Sequence, residues 1–369
     1  MNPITQLADV GVSVWLDDLG RDRLTSGELT RLVTSGVRGV TTNPSIFAAA
    51  VSRGDAYADE LASLAGVPAA EALHSLMVAD VRDACDVLAT THRETQLLDG
   101  RVSLEVDPRL AFDTDATVAA AAKIWADVDR PNVMVKIPAT KAGLPAITSA
   151  LASGISVNVT LIFGVDRYRE VQDAWLAGLE AAHAEGHDLR AIGSVASFFV
   201  SRLDTAVDTR LDTLSTDHPD DDHQRLRGRA AVANARQAYR QFLQILSEER
   251  WRALAALGAQ PQRPLWASTS TKDPSFSPTR YVDELVAAQT VNTMPAGTLD
   301  AVTRSSEPHA PTIALTEQAA ADDAQLFADL ASVGIEYQAV VEHLEEAGVQ
   351  SFIDAWTKLL GLVETAQQA

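Results

Sequence analysis

Short apolar runs of strand length alternate along the chain with longer segments of helical periodicity. Many of the runs are apolar on both faces, which is typical of strands buried in a parallel sheet. Eight strands are predicted in this way, at 13–17, 37–43, 102–107, 133–138, 156–163, 191–199, 264–268 and 290–294. The segments between them, such as 114–127 and 143–152, follow the helical repeat. Beyond about residue 316 the pattern predicts helices near 316–331, 335–346 and 348–366.

Strand and helix alternating eight times predict an α/β protein with a closed (β/α)8 TIM barrel. The competing architecture is an open doubly wound sheet, which would need a glycine-rich phosphate loop after the first strand. Residues 16–20, Leu-Asp-Asp-Leu-Gly, do not supply that loop, so the barrel is favoured. We expect a single domain over 1–369, with the barrel core at about 12–303 and additional C-terminal helices at about 315–366. A polar, acidic loop is predicted at 217–223.

Polar side chains occur near the C-terminal end of each predicted strand, at Asp17, Asn43, Glu105, Lys136, Asn158 with Thr160, Ser197, Ser268 and Asn292. Their apolar neighbours have the opposite parity, so this set is predicted to face the barrel interior at its C-terminal rim, where barrel enzymes hold their active sites. Any one of them could be a hydrogen-bonded core residue, but the repetition on all the strands favours a site. Trp266 has the parity of Ser268 and is predicted to line the interior as well.

Lys136 lies in the strand Val-Met-Val-Lys-Ile-Pro at 133–138, on the face opposite to Val135 and Ile137. An ammonium buried without a partner is costly, and proteins commonly avoid that cost by holding the amine neutral. A neutral amine attacks carbonyl carbon and forms a Schiff base. The alternative is a structural ion pair with a neighbouring carboxylate, which this strand alone leaves open.

Together the polar residues suit the making and breaking of a carbon–carbon bond next to a ketone. Lys136 would form an imine that acts as an electron sink, and Asp17 would take a hydroxyl proton during cleavage. Glu105 would shuttle a proton through a water held by Thr160. The side chains suited to hold sugar hydroxyls by directional hydrogen bonds are Asn43, Asn158 and Ser197. This chemistry requires neither a metal nor an organic cofactor.

The composition limits the partners and the compartment. The formal net charge of -20 argues against nucleic acid or an anionic membrane surface as a partner. An anionic substrate would therefore need a local group of arginines or lysines. Cys85 is the single cysteine, which excludes an intrachain disulfide and a thiolate metal cluster. No apolar run reaches the length of a membrane span and the N-terminus lacks signal-peptide features, so we expect a cytoplasmic protein.

Four motifs resemble those of the transaldolase family of class I aldolases in sequence, order and spacing: Val40-Thr-Thr-Asn-Pro-Ser-Ile46, Val102-Ser-Leu-Glu-Val-Asp107, Val135-Lys-Ile-Pro-Ala-Thr140 and Asn158-Val-Thr-Leu-Ile-Phe163. The resemblance covers nearly the whole chain. It implies that Lys136 is the Schiff-base lysine, that Asp17 is the acid/base at the substrate C4 hydroxyl, and that Glu105 with Thr160 positions the catalytic water. It also implies that substrate hydroxyls are bound by Asn43, Asn158 and Ser197.

The implied reaction belongs to the pentose phosphate pathway. A dihydroxyacetone unit passes from sedoheptulose 7-phosphate to glyceraldehyde 3-phosphate, which gives erythrose 4-phosphate and fructose 6-phosphate. The family binds phosphate through an arginine after the sixth strand and through basic and hydroxyl groups after the seventh. Arg202 matches the first position, and Ser268 and Lys272 match the second. Lys272 is a point charge where many relatives carry an arginine, so another group could complete this site.

Several alternatives stay open at this stage. Asp18 directly follows Asp17, and parity with Trp15 favours Asp17 as the site residue. Fructose-6-phosphate aldolase is the nearest rival function, but that group tends to carry Gln at the position of Glu105 and Tyr at the position of Phe199, which we assign to the substrate-binding residues. A non-catalytic barrel that serves as a binding scaffold is the second rival. Sugar phosphates are the expected partners, homo-oligomerisation is left open, and the C-terminal helices could cover the barrel mouth or a subunit contact.

Overall fold

The computed structural model describes residues 2–53, 55–217, 222–305 and 309–368. Eight parallel strands close into a barrel in chain order. They are β1 (Val12–Asp17), β2 (Gly39–Thr41), β3 (Arg101–Glu105), β4 (Val133–Pro138), β5 (Val157–Ile162), β6 (Ser194–Phe199), β7 (Arg263–Ala267) and β8 (Thr290–Met294). The predicted TIM barrel is confirmed. Most of the polar loop expected at 217–223 lies outside the described residues.

Helices surround the barrel and extend beyond its last strand. They are α1 (Pro3–Asp9), α2 (Arg21–Thr25), α3 (Glu28–Thr34), α4 (Pro44–Ser52), α5 (Ala58–Ser63), α6 (Ala69–Glu94), α7 (Thr114–Val128), α8 (Gly143–Ala152), α9 (Val165–Ala184), α10 (Ser201–Asp217), α11 (Ala230–Ser247), α12 (Glu249–Ala256), α13 (Arg280–Asp283), α14 (Ala296–Arg304), α15 (Glu317–Ser332) and α16 (Tyr337–Gln367). None of these described helices is long and apolar enough to cross a bilayer.

Local sequence explains where α4 begins, directly after β2. The side chain of Asn43 accepts a hydrogen bond from the backbone N–H of Ile46 at 3.1 Å, and Pro44 occupies the first helical position. An asparagine cap followed by proline is a strong signal for a helix start. The chain therefore leaves the barrel wall after Thr41, and β2 is shorter than the predicted strand at 37–43.

The two C-terminal helices predicted at 335–346 and 348–366 are one continuous helix, α16. Gly348 lies in its middle and serves close packing rather than helix termination. A Cβ atom at this position would lie 3.1 Å from Cε2 of Phe163 and 3.3 Å from Cδ2 of Leu161. The absence of a side chain thus allows α16 to cross close to the end of β5.

Hydrogen bonds fasten α16 at both ends. The Tyr337 hydroxyl accepts from the backbone N–H of Val165 at 3.2 Å and donates to Oδ1 of Asn234 at 2.6 Å. At the far end, Nε2 of Gln367 donates to the carbonyls of Leu64 and Val67 at 2.8 and 3.0 Å. These contacts hold α16 in place across the mouth of the barrel. The C-terminal helix therefore covers the barrel mouth, which is one of the two placements that the sequence left open.

The register of the strands decides which side chains face inward. Glu105 lies beside Lys136, and Asp17 lies beside Thr41, so these pairs point to the same side of the sheet. Ser13 shares the face of Asp17 by the two-residue period of β1. These inward positions form the lining of the barrel from its N-terminal to its C-terminal end.

Two residues predicted to face inward face the surrounding helices instead. Val291 lies beside the inward Ser13, which turns Asn292 outward, where its Nδ2 donates to the carbonyl of Tyr281 at 3.4 Å. Leu265 lies beside Val291, which turns Trp266 outward in the same way. The Trp266 ring packs edge-on against Phe198 with ring centroids 6.1 Å apart. Both inward assignments were therefore wrong.

A charged cluster fills the N-terminal end of the barrel. Oδ1 of Asp99 accepts hydrogen bonds from Nη2 of Arg263 at 2.8 Å and from the Trp15 indole at 3.2 Å, and Oδ2 accepts from the Ser13 hydroxyl at 2.7 Å. All four side chains are buried. These buried ionic and polar groups bind one another, as buried polar groups normally do. They serve the structure of the barrel, and the site is therefore sought at its C-terminal end.

Candidate active site

A cavity of about 210 Å3 opens at the C-terminal end of the barrel. Predicted site residues that line it are Asp17, Asn43, Lys136, Thr160, Ser197, Phe199, Arg202, Ser268 and Lys272. The remaining two, Glu105 and Asn158, are buried and hydrogen-bonded to side chains that line the cavity. The structure therefore brings together residues from β1, β3, β4, β5 and β6, from the segments that follow β2 and β7, and from the start of α10.

Lys136 projects from β4 into the base of this cavity and is only 5% exposed. Its Nζ donates to the carbonyl oxygen of Thr42 at 2.6 Å and to Oε1 of Glu105 at 3.1 Å. The aromatic ring of Phe352, from α16, lies with its centroid 5.9 Å from the same nitrogen. The amine thus has two polar partners and one apolar neighbour.

Glu105 is the neighbouring carboxylate with which Lys136 forms an ion pair, an alternative that the sequence did not exclude. Its other oxygen, Oε2, accepts a hydrogen bond from the Thr42 hydroxyl at 2.9 Å. Burial raises the pKa of Glu105 above its ordinary value, and the positive charge of Lys136 opposes that shift only in part. Because burial favours the protonated form of Glu105, its carboxylate can accept a proton from Lys136. The contact between the two side chains therefore also provides a route to the neutral amine.

Asp17 lies on the opposite side of the barrel, at the end of β1. Its Oδ1 accepts from the Thr41 hydroxyl at 2.7 Å, and that hydroxyl is 2.6 Å from the hydroxyl of Thr293. Burial raises the pKa of Asp17, while Lys136 and the hydrogen bond from Thr41 act in the opposite direction. Asp18 lies outside the cavity lining and forms an ion pair with Arg23 at 2.7 Å. The structure thus places Asp17, not Asp18, in the cavity.

The polar residues of β5 and β6 form a connected group. The Ser197 hydroxyl donates to Oδ1 of Asn158 at 2.7 Å, and Nδ2 of Asn158 donates to the Ser103 hydroxyl at 2.9 Å. Thr160 lies where the register of β5 shifts against β6, and its buried hydroxyl has no hydrogen-bond partner among the described residues. Buried hydroxyls normally have partners, so Thr160 is free to bind a ligand or a water molecule.

Two cations face the outer part of the cavity. Arg202 lies at the start of α10 with its guanidinium carbon 5.3 Å from the centroid of Phe199, and Lys272 donates to the Ser270 hydroxyl at 2.7 Å. Burial lowers the pKa of Arg202, and both burial and the charge of Arg202 lower that of Lys272. Neither cation pairs with a carboxylate of the described residues, so this end of the cavity suits an anionic group.

Some residues of the site escaped the sequence reasoning. Thr41 and Thr42 lie in the Thr-Thr-Asn-Pro-Ser motif, where their hydroxyls signalled a polar strand end without indicating a partner. Ser351 and Phe352 come from α16, whose periodicity predicted an apolar face but not what that face covers. Within the described ranges, no group of three or more His, Cys, Asp or Glu side chains is arranged to hold a metal ion.

Comparison with known proteins shows the family of the chain. The family model described as transaldolase/fructose-6-phosphate aldolase matches residues 14–363. "Transaldolase 1" from Streptomyces avermitilis is 54% identical over 98% of this chain and 95% of its own length. "Transaldolase" from Thermobifida fusca is 54% identical over 100% of this chain and 98% of its own length, and "Transaldolase" from Mycolicibacterium smegmatis is 52% identical over 97% and 96%. The chain therefore belongs to the transaldolase/fructose-6-phosphate aldolase family and, within it, to the transaldolases, which are transferases.

Proposed function

We propose that this transaldolase transfers a dihydroxyacetone unit from sedoheptulose 7-phosphate to glyceraldehyde 3-phosphate through a Schiff base on Lys136. The observation that carries the proposal is a buried amine that contacts the carboxylate of Glu105 and lines the same cavity as Asp17, both carboxylates having a pKa raised by burial. A Schiff-base lysine needs a proton acceptor at its nitrogen and a second acid/base at the bond that breaks. Glu105 and Asp17 meet these two needs from different sides of the barrel.

The first step is attack of the Lys136 amine on the ketone carbon of the donor. The ammonium must lose a proton before it attacks, and Glu105 is its hydrogen-bond partner at 3.1 Å. The resulting carbinolamine loses water to give the iminium ion, which requires a proton on the leaving hydroxyl. The unpartnered hydroxyl of Thr160 lies in the same cavity and would orient that hydroxyl or the water that replaces it.

The second step breaks the bond between C3 and C4 of the donor. Asp17 takes the proton of the C4 hydroxyl, the bond electrons pass to the iminium nitrogen, and an aldose phosphate leaves behind an enamine on Lys136. Burial raises the pKa of Asp17, which brings it towards the operating pH of a general base. Transfer runs the same steps in reverse, with the enamine carbon attacking the acceptor aldehyde and Asp17 returning its proton.

The other lining residues are suited to hold the sugar phosphate. The Oδ1 atom of Asn43 caps α4, which leaves its amide N–H groups as donors for a substrate hydroxyl. Ser197 lines the cavity and is oriented by its bond to the buried Asn158. At the outer end, phosphate would lie between Arg202 and Lys272 with hydroxyls such as that of Ser268. These directional contacts would hold the reacting carbons in line with the amine.

Fructose-6-phosphate aldolase activity is the alternative within the same family. The two functions differ in what happens after cleavage, so one assay separates them. With fructose 6-phosphate and erythrose 4-phosphate, the proposal predicts equal formation of glyceraldehyde 3-phosphate and sedoheptulose 7-phosphate. Without erythrose 4-phosphate, glyceraldehyde 3-phosphate should form in a burst equal to the amount of enzyme and afterwards only at a small fraction of the transfer rate. Steady accumulation of free glyceraldehyde 3-phosphate at a rate comparable to that of transfer, without an acceptor, would show an aldolase instead.

A further inference from the structure

Phe352 is an apolar residue of the cavity lining, and its ring lies close to the reacting amine. Its side chain is only 7% exposed, and its ring centroid lies 5.9 Å from Nζ of Lys136. It comes from α16 rather than from a barrel strand. Because α16 is fastened at both ends and packs closely over β5 at Gly348, the ring is held in place above the amine.

The chemistry at Lys136 makes this position important, given the proposed function. Between the two half-reactions the enamine stays on Lys136 while one aldose phosphate leaves and another enters. If the enamine carbon takes a proton from solvent, an iminium ion forms. Water then adds to the iminium carbon, the carbon–nitrogen bond breaks, free dihydroxyacetone leaves and the lysine amine is restored. Hydrolysis therefore competes with transfer, and both of its reactants come from water.

The surroundings of the Lys136 nitrogen are asymmetric. Glu105 and the carbonyl of Thr42 contact it directly, and the hydroxyl of Thr160 lines the same cavity. These groups can form hydrogen bonds to the water that leaves when the Schiff base forms. The Phe352 ring offers neither a donor nor an acceptor, so water gains no hydrogen bond there. Access of water is thus provided at one side of the adduct and restricted at another.

We infer that Phe352 is a specificity-determining residue that favours transfer over hydrolysis of the three-carbon adduct on Lys136. The physical effect is the exclusion of water. The ring fills the space on its side of the carbon–nitrogen bond and keeps water away from it. Leucine is smaller than phenylalanine and would retain only part of this exclusion, whereas alanine would lose nearly all of it.

The test measures two rates for each of the variants Phe352→Ala and Phe352→Leu. Transfer is followed as sedoheptulose 7-phosphate formed from fructose 6-phosphate and erythrose 4-phosphate, and hydrolysis as free dihydroxyacetone in the same mixture. The ratio of hydrolysis to transfer should rise by roughly tenfold in Phe352→Ala and by a smaller factor in Phe352→Leu. Leu359→Ala is the matched control, because Leu359 is buried on the same helix and does not line the cavity. Its ratio should stay at the wild-type value.

The outcomes separate this inference from the proposed function. If Phe352→Ala does not fold, as judged by circular dichroism, Phe352→Leu retains the apolar volume and decides the question. A wild-type ratio in the folded Phe352 variants, or an equal rise in Leu359→Ala, would overturn the inference. Borohydride trapping of the wild-type enzyme is run beside these assays. A missing adduct on Lys136 would reject the proposed function, whereas a normal adduct with an unchanged ratio would reject only the role of Phe352.

Discussion

The hydroxyl of Thr41 is the hydrogen-bond donor that contacts the carboxylate of Asp17, at 2.7 Å. Thr41→Val removes this donor and keeps the shape of the side chain. Lys136 is the other described group that favours ionised Asp17, while burial and the charge of Asp18 disfavour it. The substitution therefore raises the pKa of Asp17 further, and the acid limb of the pH–rate profile should move to higher pH.

The size of this shift follows from the type of bond that is lost. A hydrogen bond to a charged group contributes about 1.5–3 kcal/mol, and one pKa unit corresponds to about 1.4 kcal/mol. The acid limb should thus move up by about one to two pH units. On the alkaline side of the limb the rate should stay within a few-fold of wild type, because a carboxylate of higher pKa is still a competent base.

The assay is kcat/KM for the donor as a function of pH, at saturating acceptor, since this parameter reports groups of the free enzyme. Thr41→Ser retains the hydroxyl and should keep the wild-type limb, which makes it the matched control. Ionisation of the substrate phosphate affects all the proteins equally and cancels in the comparison. An acid limb that does not move in Thr41→Val, with the whole profile lowered instead, would refute the assigned role of the hydroxyl.

Three further substitutions test other parts of the site. Arg202→Ala should lower kcat/KM about ten- to hundredfold for phosphorylated donors and leave that for unphosphorylated fructose nearly unchanged, which steady-state kinetics would reveal. Arg227→Gln removes the 2.6 Å ion pair to Asp273, which holds the loop that carries Lys272, so KM for the donor should rise about two- to fivefold with kcat unchanged. Asp17→Asn should lower kcat by at least about a hundredfold and raise the thermal midpoint at neutral pH in calorimetry. Because burial raises the pKa of Asp17 in the folded protein, its ionised carboxylate destabilises the fold at neutral pH. The gain in thermal midpoint should therefore vanish at low pH, where Asp17 of the wild-type protein is protonated.

The sequence predicted the barrel well because each strand is a short, strongly apolar run between helical segments. It also predicted the lining residues on β1, β4, β5 and β6, where alternation holds as far as the residue that lines the cavity. On β5 it breaks at Leu161, with φ of 61°, directly after Thr160. It failed on β7 for a local reason. Ser268 follows the strand with φ of 56°, in the left-handed region, so parity counted back from it assigned Trp266 to the wrong face. Alternation holds only while the backbone stays extended.

Residues contributed by distant elements were beyond the reach of local patterns. Phe352 lies more than 200 positions after Lys136, and its period on α16 is that of any buried helix residue. Only the path of α16 across the barrel mouth brings its ring to the amine. Gly348 similarly gave no local sign that it allows a close approach to Phe163. Such contacts depend on tertiary packing, which periodicity does not encode.

The most direct test of the central claim is borohydride reduction in the presence of fructose 6-phosphate. Reduction should fix the three-carbon unit on the protein and increase the intact mass by one reduced dihydroxyacetone adduct. Peptide mapping should locate it on Lys136, and Lys136→Arg should show no mass change. An unchanged mass for the wild-type protein, or an adduct that maps to another lysine such as Lys141, would contradict the account.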